Sequence, residues 1–349
     1  MAFVRNAWYV AAWDRELGSD ALLPRTVLGE NMILFRDADC VSGALLDRCP
    51  HRSLPLSKGR LKQGVVECGY HGLTFDRTGR CVRAPTQGRV PENARVRSFP
   101  VAERMGMIWV WMGDPALADP AAIFDLPQYH DPQWGVAHGD ALHIGCGHLL
   151  LCDNLCDPTH VNYVHPTTLG DPEIPDAPLT YERHDWGVAT TRWTLDSKPI
   201  GLLKAVGDFT DETRVDRWQI YNMHLPTTAI IDFGGAMAGT GAQDGGGTGR
   251  IQLFSCHFMT PVTEDHTVDY WLHVRNFAAR DAAVGEGISK QFRIAFAEDK
   301  VVLEAIQIEE HKAHGTHGRI GLELDAPAGL FRRMIKNKIR DEEGAQTAE

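Results

Sequence analysis

Residues 49–71 read CPHRSLPLSKGRLKQGVVECGYH, a Cys-x-His half followed by a Cys-x-x-His half. Two sulfurs and two nitrogens suit either a tetrahedral zinc ion or a [2Fe-2S] cluster in which two histidines replace two cysteines on one iron. Structural zinc sites usually pair like with like, two cysteines then two histidines, whereas here each half offers one thiolate and one imidazole. Two irons explain that symmetry: Cys49 and Cys68 on one, His51 and His71 on the other, with each half reaching across the cluster. Pro50 and Pro55 stiffen the first half, Gly69 and Gly72 let the second backbone approach closely, and GVVEC at 64–68 reads as a short strand. The stretch predicts two loops side by side on a hairpin. Buried cysteines are common and the chain carries 16 histidines, but neither fact accounts for the four-ligand spacing.

Outward from the hairpin, short apolar runs such as NMILFRD, GALLD and MGMIWVWMGD are broken by Gly, Pro and Asp, which predicts an all-β domain over 1–112. Residues 113–134 are rich in Pro and Asp with no sustained period and read as a connector. Within a second domain over 135–335, the runs RWQIYNM, TTAIIDF, IQLFSCHFM and TVDYWLHVRNF predict an antiparallel sheet. Helical periodicity follows after 285, and the polar run 336–349 is expected to fray. The fold class is α+β. GTGAQDGGGTGR lacks the Lys-Ser/Thr and strand-to-helix setting of a phosphate cradle and reads as a hairpin loop.

The chain has 349 residues, 43% of them hydrophobic, and 35 Lys and Arg against 46 Asp and Glu give a net charge of −11. That balance argues against a nucleic acid or an anionic membrane as partner. The N-terminus lacks a basic region followed by an uninterrupted apolar core, and no apolar run approaches a membrane span, so a cytosolic location with reduced thiols is expected. Cys40, Cys81, Cys146 and Cys256 read as packed small residues.

A second constellation lies in DNLCDPTHVNYVHP, 153–166, where His160 and His165 follow Asp153, Asn154 and Asp157. Residues five apart on a helix point about 140° from each other, so one metal can hold both histidines only if the helix stops between them. Pro166 disfavours the α conformation at His165 and pushes it toward an extended geometry. Upstream, HIGCGH gives His143 and His148 the same spacing, but its glycines and lack of neighbouring acids suggest a strand. Cys152, Cys156 and His160 could share a helical face as zinc ligands, though Pro158 weakens that helix. Two histidines with open positions call for a carboxylate, as in non-haem Fe(II) oxygenases. In the C-terminal helix Phe292, Phe296, Leu303 and Ile306 form an apolar stripe whose missing member is Asp299, a carboxylate that needs a partner when buried. Glu298 faces elsewhere and is expected to be solvated.

NAWYVAAWDREL, both cluster halves, RMGMIWVWMGDPALADP, DNLCDPTHVNYVH and AEDK occur here in the order in which they occur in Rieske non-haem iron oxygenases. Over nearly its whole length the chain resembles their oxygenase components, in particular the vanillate and dicamba O-demethylases. The resemblance implies an N-terminal Rieske domain and a helix-grip catalytic domain, with Cys49, His51, Cys68 and His71 binding [2Fe-2S] and His160, His165 and Asp299 binding Fe(II). It implies that Asp157 is the acid bridging the two centres, in a catalytic segment that also holds Asn154. Also implied are a head-to-tail homotrimer and electrons from an NADH-dependent reductase with flavin and a ferredoxin-type [2Fe-2S]. The activity implied is O2-dependent O-demethylation of a methoxylated aromatic acid such as vanillate, releasing formaldehyde and a phenol. Hydroxylation of the ring or a methyl group of another aromatic acid uses the same metals, and a non-catalytic Rieske electron carrier would leave His160, His165 and Asp299 unexplained. Two departures stand out: Ser53 occupies a position usually held by Gly, and Pro158 follows the bridging acid. For the substrate's carboxylate, His257, His273 and Arg275 on strand-like segments are the candidate contacts.

Overall fold

The computed structural model describes residues 3–85, 87–166, 168–170, 178–313 and 320–346. It divides into two compact units.

The first unit runs to Asp125 and takes in Thr260–Glu264 and the end of the last helix from Glu342. Its strands form three small sheets. Trp8–Trp13 pairs with Met107–Trp111, which also pairs with Val101–Arg104. Leu23–Val27, Glu30–Arg36, Ser42–Leu46 and Ser98–Phe99 make a second, and Arg60–Lys62, Val65–Glu67, Thr74–Phe75 and Cys81–Arg83 a third. Strands this short pack because nearly every inward residue is apolar: Ile33, Phe35, Leu45, Leu56, Val66 and Phe75 are wholly buried in one cluster that also contains Cys49 and Cys68. The first half of the expected connector packs onto this unit. Trp8 Nε1 donates to the Asp119 carbonyl at 2.9 Å and Arg104 to that of Ile123 at 2.8 Å, while Asp114 and Asp119 cap single turns at Pro115–Leu117 and Pro120–Ala122.

The second unit is a seven-stranded antiparallel sheet with helices. From one edge the order is Gly135–Ile144, His266–Arg275, Ile251–Thr263, Thr228–Met237, Val215–His224, Gly187–Ser197 and Leu179–His184. Only the first strand is out of chain order, so each of the others pairs with its neighbours in sequence. The glycine-rich segment forms the hairpin loop between Thr228–Met237 and Ile251–Thr263. Helix Ala282–Ala313 lays Ile288, Phe292 and Phe296 into a cluster with Leu253, Trp271 and Leu203. Asp299 is buried along the same stripe, with Leu303 one turn on. Ile306 departs from the expected stripe: it is 38% exposed, because the helix has by then run past its apolar cover.

The polar run expected to fray is also different. Residues 336–346 continue helix Ala326–Gln346, and the Glu342 carboxylate accepts the backbone N–H groups of Arg5 and Asn6 at 2.8 and 2.9 Å; residues 347–349 lie outside the described residues. No described helix is long and apolar enough to cross a membrane.

Candidate active site

The two halves of the cysteine–histidine motif fold as a matched pair of loops. In the first, Cys49 N–H donates to the Leu54 carbonyl at 2.9 Å and Ser53 N–H to the Cys49 carbonyl at 3.0 Å. In the second, Cys68 N–H donates to Leu73 at 2.8 Å and Gly72 N–H to Cys68 at 3.1 Å. Each loop closes through a residue in the left-handed region, Ser53 at φ 57° and Gly72 at φ 70°. Glycine adopts that conformation without strain, whereas Ser53 holds it with a Cβ. Gly69 is required for another reason: a Cβ there would lie 2.6 Å from the Lys58 carbonyl.

The loops sort their ligands by depth. Cys49 and Cys68 are 3% and 2% exposed, both free thiols, whereas His51 is exposed, His71 half-buried, and their rings lie 4.7 Å apart. Burial, and the Cys68 thiol beside it, push the Cys49 thiol up. Two sulfurs inside and two imidazoles toward the surface fit a [2Fe-2S] group, which these four residues would hold, and a single tetrahedral ion gives no reason for that polarity. The other cysteines do not join it. Cys81, Cys146 and Cys256 are buried, with burial pushing Cys146 up to about 12, but Cys40, expected to be packed, is exposed in a turn at φ 61°.

In the second unit, helix His148–Cys156 ends before Asp157, whose extended backbone (φ −111°, ψ 102°) is what a following proline demands. The chain then makes one short helix, Val161–Val164, between the two histidines. The break expected between them is therefore displaced: His160 precedes the first turn in an αR conformation and His165 closes it at φ −116°, ψ 44°, neither helical nor extended. Five residues are spanned by a single turn with irregular ends, which lets both rings converge.

Their convergence point is Asp299. His165 Nε2 lies 3.2 Å and His160 Nε2 3.6 Å from Asp299 Oδ1, and a ligand atom of each residue falls within 4.8 Å of the others. The opposite ring nitrogens are occupied. His160 Nδ1 donates to the Asp157 carbonyl at 2.5 Å and His165 Nδ1 to Glu298 Oε2 at 2.8 Å. Both Nε2 lone pairs are thereby presented to one point, the donor set of a divalent iron site with open positions. Asn154 Nδ2 donates to Asp299 Oδ1 at 3.0 Å and fixes the carboxylate. Burial lowers His160, while Asp299 and Glu298 hold His165 above its ordinary value despite burial.

Glu298 corrects an expectation. It is not solvated but bound to His165, and Thr168 Oγ1 donates to the same oxygen at 3.0 Å. Asp153 is engaged by Arg332 through bonds of 2.7 and 2.9 Å. Asp157 Oδ1 accepts from Thr159 N and Oγ1 at 2.7 and 2.6 Å. The alternative ligand sets are dispersed. His143 lies within a strand and meets His266, His148 begins a helix, and Cys152 and Cys156 are buried thiols on a helix that stops before His160.

A cavity opens beside the three donors, walled by apolar residues including Leu155, Ile231, Phe233, Phe292 and Phe296 and by polar Arg192, Arg217, Gln219, Tyr221 and Ser255. The two arginines were not anticipated. They stand inward on sheet strands, and their signal in the sequence was alternation: Arg192 and Thr194, then Arg217, Gln219 and Tyr221. Of the expected substrate contacts, none lines the cavity directly. His257 is buried behind Ser255, with Nε2 at 3.0 Å from its Oγ and Nδ1 at 2.7 Å from Asp269. His273 packs against Trp271 and Phe292, and Arg275 donates to the carbonyls of Ala278 and Asp281, securing the turn after its strand.

Two family descriptions match: a Rieske [2Fe-2S] domain over residues 7–100 and the vanillate O-demethylase oxygenase C-terminal domain over 144–341. The iron-sulfur subunit of a toluene-4-sulfonate monooxygenase system of Comamonas testosteroni is 41% identical over 99% of both chains. The vanillate O-demethylase oxygenase subunit of Pseudomonas sp. strain HR199 is 35% identical over 99% of this chain and 98% of its own. The oxygenase component of dicamba O-demethylase from Stenotrophomonas maltophilia is 39% identical over 88% and 89%. The crystal structure of dicamba monooxygenase bound to 3,6-dichlorosalicylic acid superposes with a TM-score of 0.89 at 34% identity, covering 98% of this chain and 99% of that one.

Proposed function

The chain belongs to the Rieske oxygenases with a vanillate O-demethylase-type catalytic domain, and we propose that it is a terminal oxygenase that O-demethylates a methoxylated aromatic acid. The observation that carries this reading is the set of His160, His165 and Asp299 donors at the wall of a largely apolar cavity. When bound there, iron supplies O2 activation, with electrons reaching it through the [2Fe-2S] group from an NADH-dependent reductase carrying flavin and ferredoxin-type iron-sulfur.

The chain's own residues do the rest. Glu298 and the Asp157 carbonyl hold the two imidazoles in the tautomer that leaves Nε2 unprotonated, and Asn154 orients the third ligand. Phe292 and Phe296 keep water from the reacting carbon and give the aromatic ring a surface to pack on. An oxygen atom inserted at a methoxy C–H gives a hemiacetal that collapses to a phenol and formaldehyde, so no acid or base need be dedicated to the leaving group. Cys49, His51, Cys68 and His71 hold the cluster in this reading, and assembly as a homotrimer is part of it, to be checked by sedimentation.

A second reading is favoured by the toluene-4-sulfonate relative: hydroxylation of a methyl group on an aromatic acid in the same cavity. The products separate the two. With reductase, NADH and O2, methoxybenzoates including vanillate should yield formaldehyde equimolar with phenol. Hydroxymethyl product from toluene-4-sulfonate, with no formaldehyde from any methoxylated acid, moves the assignment to methyl hydroxylation.

A further inference from the structure

We propose that Arg192, with Arg217 beside it, is the clamp for the substrate's acid group and selects aromatic oxyanions over neutral aromatics. This rests on the oxygenase reading above and names the group by which that cavity takes hold of its substrate.

Arg192 and Arg217 stand on adjacent antiparallel strands. Arg192 faces Gln219 across the ladder, and Arg217 is two residues from Gln219 on the same face, so the two guanidinium stems are diagonal neighbours. Both line the cavity that contains the His160, His165 and Asp299 donors, and both are more than nine-tenths buried, at 6% and 7% exposure. Arg217 Nε donates to Ser197 Oγ at 2.9 Å. Arg192 is far less satisfied. Its Nε has no hydrogen-bond partner, and Nη1 reaches only the Pro158 carbonyl, at 3.4 Å. Among the described residues no carboxylate pairs with it, and Oδ1 of Asp157, the acid whose charge it feels, is already held by Thr159.

A desolvated guanidinium with an unused N–H edge is costly to a fold unless an anion completes it. Burial lowers the Arg192 pKa, the direction expected when that anion is missing. The fork of N–H groups matches two oxygens of a carboxylate or a sulfonate, which are chemically alike in this respect. The apolar residues lining the same cavity, Phe292 and Phe296 among them, accept the ring. An acid bound in this way is held at one end by charge, leaving a ring substituent free to approach the metal ligands.

The test is calorimetric titration of the holoenzyme with three probes: vanillate, toluene-4-sulfonate and the neutral toluene-4-sulfonamide. Wild type should bind at least one of the two anions tenfold or more tighter than the sulfonamide, and which anion binds tighter identifies the acid. Arg192→Gln should cost that anion about 10- to 100-fold, the worth of a charged hydrogen bond, and leave the sulfonamide's Kd unchanged. Arg192→Lys, which keeps the charge and loses the fork, should recover part of the loss. In turnover the change should fall on KM and spare kcat. Equal loss for anion and sulfonamide, undiminished anion binding in Arg192→Gln, or no anion preference in wild type each overturns the clamp; the wild-type comparison decides if both variants fold poorly. Tight, Arg192-dependent binding of an anion that is never oxygenated would leave the clamp standing and overturn the proposed function.

Discussion

His165 Nδ1 donates to the carboxylate of Glu298, the residue immediately before Asp299, so one turn of helix Ala282–Ala313 supplies both the support for one imidazole and the acid facing its Nε2. Consecutive helical residues point about 100° apart, and the two carboxylates reach opposite sides of one ring because His165 folds across the helix between them. Removing this support should loosen the metal without dismantling the fold. Glu298→Gln should weaken iron retention about 10- to 100-fold, measured as iron content after dialysis against a chelator, with the cluster absorbance intact. Iron retention equal to wild type would reduce Glu298 to a surface contact.

The donor set itself gives a sharper prediction. His160→Ala or Asp299→Ala should abolish O2-dependent turnover and bound iron, while the [2Fe-2S] spectrum survives because the ligands proposed for the cluster lie in the other unit. Cys68→Ser should do the reverse and remove the spectrum. A variant that turns over normally loses its place as a ligand.

Asp157 accepts two hydrogen bonds from Thr159 through one oxygen, a cap that asparagine can reproduce. Asp157→Asn should therefore fold and bind both metals, yet slow oxidation of the reduced cluster by at least tenfold in stopped-flow measurements. Wild-type rates would assign Asp157 to the cap alone.

Ser53 and Gly72 close equivalent loops in the left-handed region, and only one of them is glycine. Ser53→Gly should raise stability by up to about 1 kcal/mol by removing the Cβ clash of that region, visible as a higher urea midpoint for loss of the cluster absorbance. The loss of the exposed Arg48–Ser53 hydrogen bond offsets little. A lower midpoint contradicts the reading.

His148 is 3% exposed, and its pKa is lowered to about 4 by burial, with Arg332 adding to it. A depressed folded-state pKa means the unfolded chain binds the proton more tightly, so stability is intact above about 6.5 and is lost as pH falls toward 4, by about 3 kcal/mol in full. The urea midpoint should drop between pH 7 and pH 5, and His148→Gln should flatten that slope. An unchanged slope would show that other groups govern acid lability.

Local spacing made the paired loops of the cysteine–histidine motif legible, because each half is a short loop that closes on its own backbone and needs no distant element. Asp299 was legible for a different reason: it interrupts an apolar stripe, and a buried carboxylate demands a partner. Glu298 was misread because helical periodicity describes one helix and not the loop that crosses it. Arg192 and Arg217 are hidden in the sequence because strand alternation does not tell the inward face from the outward one, and a charged residue on a strand looks like an outward one. The polar run after 336 looked like a fraying end because its charges hide the contact that Glu342 makes with the N-terminal backbone.

In the proposed function, O2 is used at the His160–His165–Asp299 site to oxygenate a methoxy carbon of an aromatic acid. Turnover of a panel of methoxybenzoates, vanillate included, under 18O2 with reductase and NADH tests it most directly. One phenol and one formaldehyde should form per NADH, with 18O in the formaldehyde when it is trapped before exchange, none in the phenol, and no product from Asp299→Ala. Phenol carrying the label, or product formed undiminished by Asp299→Ala, would contradict it.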